Sequence, residues 1–192
     1  MAATTLNGGK KRVVLEGGRN KIELEDVERE RMIHVGNEGT IYRVRGNVVR
    51  RSGGVVTRSR EVRLIEKKFH ENVGEKVFGN PEAQYSIVQD LIRANREENI
   101  GLRIAPTVRL SREEGGKPSI YRTVLDVADF LHPKQRDAFN EDRRKQREAA
   151  KKNGFYLGLD SFLPVFDGKT GDVVAVVGDF GTVRRIIGKT EG

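Results

Sequence analysis

Two aspartates lie where a carboxylate could do chemistry. Asp179 sits in Gly178-Asp179-Phe180-Gly181, directly after the apolar run Val173–Val177. A buried strand would carry it to its carboxyl end, with glycines on both sides freeing the backbone, a setting that suits oxygen coordination of a hard divalent cation. Asp160, in Leu157-Gly158-Leu159-Asp160, stands just before Phe162-Leu163-Pro164-Val165-Phe166. The two apolar runs flank the polar stretch Asp167-Gly168-Lys169-Thr170-Gly171-Asp172, so the segment is expected to be strand, tight loop and buried strand. A hairpin brings its outer ends together, which makes Asp160 and Asp179 neighbours across nineteen positions of sequence. Two carboxylates at one end of a small sheet repel, and a metal, another cation or solvent must offset that repulsion.

The elements that position this hairpin follow from periodicity. From Met32 to Phe69 apolar and polar residues alternate, and Ile41–Val44, Val48–Arg50 and Val62–Ile65 read as three antiparallel strands broken near Gly46-Asn47 and Gly53-Gly54. Asn80-Pro81 offers a helix cap followed by a first-turn proline, and Tyr85, Val88, Leu91 and Ile92 recur at helical spacing toward Asn99 or Gly101. Arg103–Leu110 and Ser119–Val127 are two further expected strands around Gly115-Gly116. A second helix is expected from Pro133 to about Lys152, ending at Asn153-Gly154. Its apolar stripe is thin, so it should cover a core rather than form one. The first twenty residues, rich in Gly, Thr, Asn and Lys, read as a loose terminus with at most an edge strand at Val13–Leu15. The order of strands and helices is an α+β arrangement.

Composition bounds the chemistry. A chain of 192 residues suits one ordinary domain and not two large ones. Without cysteine, disulfides, iron–sulfur clusters and thiolate zinc sites are excluded, and three scattered histidines argue against a histidine metal site. The longest apolar run, Val173–Val177, falls far short of the ~20 residues of a membrane span, and no apolar leader follows Met1. The expectation is a soluble, cytoplasmic protein from a reducing compartment, secretion as an effector being the other option. The net charge of +8, from 36 basic and 28 acidic residues, favours polyanionic partners such as nucleic acid, nucleotides or an anionic membrane surface, without choosing among them.

In order and spacing these motifs resemble the protein-kinase-like superfamily, over about residues 32–181. Val35-Gly36-Asn37-Glu38-Gly39-Thr40-Ile41-Tyr42 is similar to its glycine turn, Lys67 (or Lys68) to its third-strand lysine, and the helix after Asn80 to its regulatory helix. Asp160 takes the catalytic-loop place and Asp179-Phe180-Gly181 the magnesium motif. The resemblance implies a kinase-like N-terminal antiparallel sheet plus helix with a strongly reduced C-terminal lobe. The divisions would be a flexible segment 1–30, an N-lobe 31–128 and a minimal C-lobe 129–192.

The resemblance also implies ATP and Mg2+ as cofactors. Gly36, Gly39, Lys67 and Glu82 would bind the nucleotide, Asp160 and Lys67 would be catalytic, and Asp179 and Asp167 would hold metal. The chain departs from the family in several places. Helical spacing puts Gln84 as well as Glu82 in contention for the helix-glutamate place, the second metal-ligand place falls on Val165, and only eleven residues follow Gly181. The implied function is a minimal phosphotransferase acting on a protein hydroxyl, like small bacterial effector or toxin kinases. The alternative is a non-catalytic pseudokinase-like module whose basic surface, including Arg143-Arg144-Lys145, docks an acidic protein or nucleic acid.

Overall fold

The structure, a computed structural model, describes residues 11–17, 20–52, 55–70, 80–111 and 118–186. Its chain divides into two compact units. The first comprises Met1–Glu82 with Thr107–Val124, the second Ala83–Pro106 with Leu125–Gly192.

Six strands build the first unit: β1 (Lys11–Gly17), β2 (Asn20–Val35), β3 (Gly39–Ser52), β4 (Val55–Phe69), β5 (Arg109–Ser111) and β6 (Ser119–Thr123). They close into a barrel in the order β1-β2-β3-β4-β6-β5, every neighbouring pair antiparallel. Closure is made by Leu15 against Ser111 and Glu16 against Leu110.

The curl that permits closure is visible in the register. Between the Glu25–Asn47 and Val35–Thr40 pairs, β2 advances ten residues while β3 advances seven, through three register shifts. Each bulge bends its strand and raises the local right-handed twist. The first of them holds Asp26 at φ 53°, a left-handed conformation that aspartate tolerates better than most residues.

Alternation then sorts side chains inward and outward. On β3 the inward face carries Tyr42, Val44, Gly46, Val48 and Arg50. On β4 it carries Arg60, Val62, Leu64 and Glu66, since Val44 pairs with Leu64 and Val48 with Arg60. Val13, Leu15, Leu24, Val44, Leu64 and Tyr121 form the buried barrel core, with Ile22, Val27, Val48 and Val62 packed around it. Each such aliphatic side chain contributes roughly 1.5–3 kcal/mol by leaving water.

The second unit contains most of α1 (Pro81–Glu97), α2 (Pro133–Lys152), β7 (Phe155–Tyr156), the hairpin β8 (Phe162–Phe166) and β9 (Val173–Val177), and β10 (Arg184–Arg185), which pairs with β7. Helix α1 starts where Asn80 Oδ1 accepts the Glu82 amide at 3.0 Å. It ends before Asn99 and Gly101, both at positive φ. Extended segments flank the hairpin, Ile104 bridging to Val177 and Val127 to Val165. Helix α2 is pinned to β9 by polar contacts: the Gln146 amide donates to Ala175 O at 2.8 Å and Asp142 accepts the Ala175 N–H at 2.8 Å. Only Phe139, Gln146 and Ala150 of α2 are buried, in keeping with its thin apolar stripe.

The expected kinase-like α+β architecture, an open N-terminal sheet beside a reduced C-terminal lobe, is corrected by this topology. Gly46-Asn47 does not break a strand; it lies inside the continuous β3. Gly46 marks a close approach instead, since a Cβ there would stand 3.3 Å from Val27 Cγ2 and 3.4 Å from Glu25 O. Val13–Leu15 is part of the strand that closes the barrel, not an edge. The strands expected at 103–110 and 119–127 shrink to three and five residues. Gly53-Gly54 and Gly115-Gly116 lie outside the described residues. No helix among the described residues is long and apolar enough to cross a membrane.

Candidate functional site

Toward one end of the barrel, the inward rows of β3 and β4 carry Arg50 and Arg60. There Val48, Arg50, Arg60 and Val62 line a cavity of about 250 Å3. The two valines are half-buried and continuous with the core, and both arginines are exposed. Because Val48 pairs with Arg60, Arg50 and Arg60 form a diagonal cross-strand pair. Such positions lie roughly 7–8 Å apart, within reach of long side chains. Immediately beyond Arg50 the β3–β4 register shifts, between Arg50 and Arg51. Bulges recur at barrel rims and re-aim the side chains beside them.

Six residues further along β4, or about 20 Å at 3.3 Å per residue, an arginine enters the barrel under different conditions. Glu66 is fully buried and accepts both Arg29 Nε at 2.7 Å and Nη2 at 2.9 Å, together with the Tyr121 hydroxyl at 3.0 Å. The Arg29 guanidinium also lies 5.0 Å from the Tyr42 ring centroid. Elsewhere, too, cations meet carboxylates. The Glu28 hydrogen bond to Arg45 at 2.8 Å raises the pKa of that guanidinium. Hydrogen bonding by Arg144 holds the Glu141 carboxyl below the usual carboxylate range, and the Glu141 and Glu148 contacts raise Arg144 in turn.

The residues singled out from sequence occupy several separate places. Gly36 and Gly39 belong to the β2–β3 turn, where the Gly36 N–H donates to Gly39 O at 2.9 Å and His70 Nε2 lies 3.0 Å from Gly36 O. A side chain at Gly39 would collide with the Lys68 carbonyl, so tight packing against β4 explains this glycine. Lys67 pairs with Glu38 of the same turn at 2.7 Å and lies 5.3 Å from the Phe69 ring centroid. Lys68 is exposed. Glu82 is exposed in the first turn of α1, whereas Gln84 is buried with neither amide atom hydrogen-bonded.

In the second unit, Asp160 lies in the short 3-10 turn Leu159–Ser161 and accepts the Thr182 hydroxyl at 2.6 Å. The buried Ser161 hydroxyl lies 2.8 Å from Thr182 Oγ1 and, with Thr182 donating to Asp160, donates in its turn. Ser161 O receives the Gly178 and Asp179 N–H groups at 2.9 and 3.2 Å, so the backbone brings Asp179 beside the Asp160 turn. The Asp179 carboxylate accepts the Gly181 N–H at 3.1 Å. Asp167 is at the opposite end of the hairpin, where its Oδ1 accepts the Lys169 N–H at 2.8 Å and shapes the β8–β9 turn.

These placements correct the functional expectations. Among the described residues, no group of three or more His, Cys, Asp or Glu side chains could hold a metal ion, so the expected ATP–magnesium phosphotransferase, and with it the atypical-kinase and toxin-kinase assignments, has no supporting centre. The alternative, a basic docking module, is corrected as well. In its proposed segment Arg144 is matched to Glu141 and Glu148, Lys145 lies 3.5 Å from Glu141, and Arg143 lies 5.3 Å from the Phe139 ring centroid.

The cavity lined by Arg50 and Arg60 was not among the sequence candidates. A signal for it exists: Tyr42, Val44 and Val48 on β3 and Val62 and Leu64 on β4 alternate along their strands beside Arg50 and Arg60. No protein-family model matches the chain and no curated protein matches it, so the resemblance to the protein-kinase-like superfamily is corrected along with the fold it implied.

Proposed function

We propose that this protein is a ligand-binding β-barrel whose arginine-rimmed mouth retains a small anionic molecule. The observation that carries the reading is the cavity itself, lined by two arginines and by the apolar Val48 and Val62. Barrel mouths are a favoured place for small-molecule sites, which combine apolar walls with a few convergent polar groups. At about 250 Å3 the space is slightly below the roughly 300–1,000 Å3 of drug-sized pockets, which fits a small metabolite. Arginine is weakly hydrated for a cation and presents a planar fork of donors, which suits it to binding oxyanions.

The test is a thermal-shift screen of small carboxylates, sulfonates and phosphate esters against the wild type and Arg50→Gln/Arg60→Gln. Binding at 100 times Kd stabilises a protein by about 2.7 kcal/mol, a rise in melting temperature of several degrees. Stabilisation of the wild type by anions, lost in the double variant, is expected. A ligand set that stabilises both proteins equally, or neither, overturns the reading.

A further inference from the structure

We infer that the end of the β2–β3 hairpin is an interfacial anchor that seats on an anionic lipid surface, its apolar side chains entering the headgroup region and its arginines meeting the anionic headgroups. This surface is separate from the cavity at Val48 and Val62 and does not depend on it. Every residue of β2 from Arg31 to Val35 is exposed, and three are large and apolar: Met32, Ile33 and Val35 are 57, 48 and 55% exposed. A strand packed on a core buries at least one face. Here neither face is buried, for Met32 stands opposite Tyr42 and Val35 opposite Thr40, while Ile33 falls in the register shift between Met32 and His34.

The charges are set for this partner. Arg31 pairs directly with Arg43 across the two strands, both are exposed, and among the described residues neither meets a carboxylate. Like charges directly opposite one another are destabilising, and an anionic surface relieves that repulsion. Glu38 is the one acidic residue from Arg31 to Arg43, and Lys67 matches it at 2.7 Å. Along the strand the arginine pair stands behind the apolar residues. Val35 adjoins the turn and Arg31 lies four residues back, or about 13 Å at 3.3 Å per residue. Interfacial segments sink their apolar side chains roughly 5–10 Å into the boundary between headgroups and acyl chains, which leaves the arginines at headgroup level. Nucleic acid would use the cations and leave the apolar residues in water, and a second copy would bring two arginine pairs together.

The chain contains no tryptophan, so Ile33→Trp supplies a single fluorescent reporter at the apolar end. Vesicle flotation of the full chain would compare phosphatidylcholine with phosphatidylcholine carrying about 30% phosphatidylserine, in about 0.1 M and about 1 M salt. The protein should float with the mixed vesicles only, and be released by the higher salt. The emission of Ile33→Trp should shift to the blue on binding and be quenched by brominated acyl chains. Each cation near an anionic surface is worth about fivefold in partitioning, so Arg31→Gln/Arg43→Gln should weaken binding roughly twentyfold. Met32→Ser/Ile33→Ser should weaken it at least about tenfold. Arg50→Gln/Arg60→Gln, which lowers the net charge equally at the other end of the barrel, should bind as the wild type does, and unchanged circular dichroism would exclude misfolding in each variant. Failure to float with the mixed vesicles overturns the inference, as does floating without a blue shift or with indifference to Met32→Ser/Ile33→Ser. Equal losses in the two arginine pairs would reduce the effect to overall charge and overturn it as well. A lipid-free dimer that Met32→Ser/Ile33→Ser turns into a monomer would assign this end to self-association instead.

Discussion

The barrel admits arginine at two places along its interior, and the protein treats the two in opposite ways. Toward the β2–β3 turn, the Arg29 guanidinium is held by both oxygens of the buried Glu66, which also accepts the Tyr121 hydroxyl. At the other end, Arg50 and Arg60 line an open cavity together with Val48 and Val62. Burying a charge is costly unless it is paired and hydrogen-bonded, so the buried Glu66 requires the cation and hydroxyl that meet it. The difference teaches where to look: the Glu66 end holds a paired charge inside the barrel, and the other end presents exposed arginines beside a cavity.

Substitutions can break this comparison. The largest effect is expected from Arg29→Leu, which leaves Glu66 buried without its cation. Loss of one partner of a buried pair costs about 3–5 kcal/mol, and urea denaturation would read it directly. The double variant Arg29→Met/Glu66→Leu should recover much of that loss, because an apolar replacement of a buried ion pair is often tolerated. If Arg29→Leu unfolds at the wild-type midpoint, the structural role of this end is wrong.

A smaller effect, about 0.5–1.5 kcal/mol, is expected of Tyr121→Phe, which removes one hydrogen bond and leaves the Arg29 fork in place. The smallest belongs to the open end. Arg60→Gln should change unliganded stability by no more than about 0.5 kcal/mol, as exposed substitutions usually do. A loss there comparable to that of Arg29→Leu would erase the distinction between the two ends.

Local signals in the sequence carried the second unit well. The valine run, the Asp-Gly turn and the paired apolar segments specify the β8–β9 hairpin, and Gly154, at φ 76°, stands where α2 was expected to stop. The barrel was harder to read because its determinants are not local. Gly46 resembles a turn residue until β2 is seen to pass beside it at Val27. Closure depends on Leu15 meeting Ser111, which no window of neighbouring residues reveals.

The candidate chemistry misled for a related reason. Asp-Phe-Gly after a valine strand, and an aspartate ahead of the hairpin, look alike whether their carboxylates serve chemistry or turns. Here Asp160 takes the Thr182 hydroxyl and Asp167 takes a backbone N–H of its own turn. Arg50 and Arg60, by contrast, disappear into a generally basic chain until strand pairing places them on the inward face of the barrel.

The closure of β1 onto β5 also dictates an order of events as the chain is made. β1 is synthesised before the other strands of the barrel, yet its partner at Arg109–Ser111 follows nearly a hundred residues later, after the whole of Ala83–Pro106, which belongs to the other unit. Until then β1–β4 can form only an open meander with unpaired edges, the kind of surface on which other chains template. Contacts so distant in sequence also slow folding, since the loop must be ordered before it gains its reward. A nascent chain released before Arg109 would carry the core residues of β1–β4 but no means of sealing them, and such fragments should associate rather than fold.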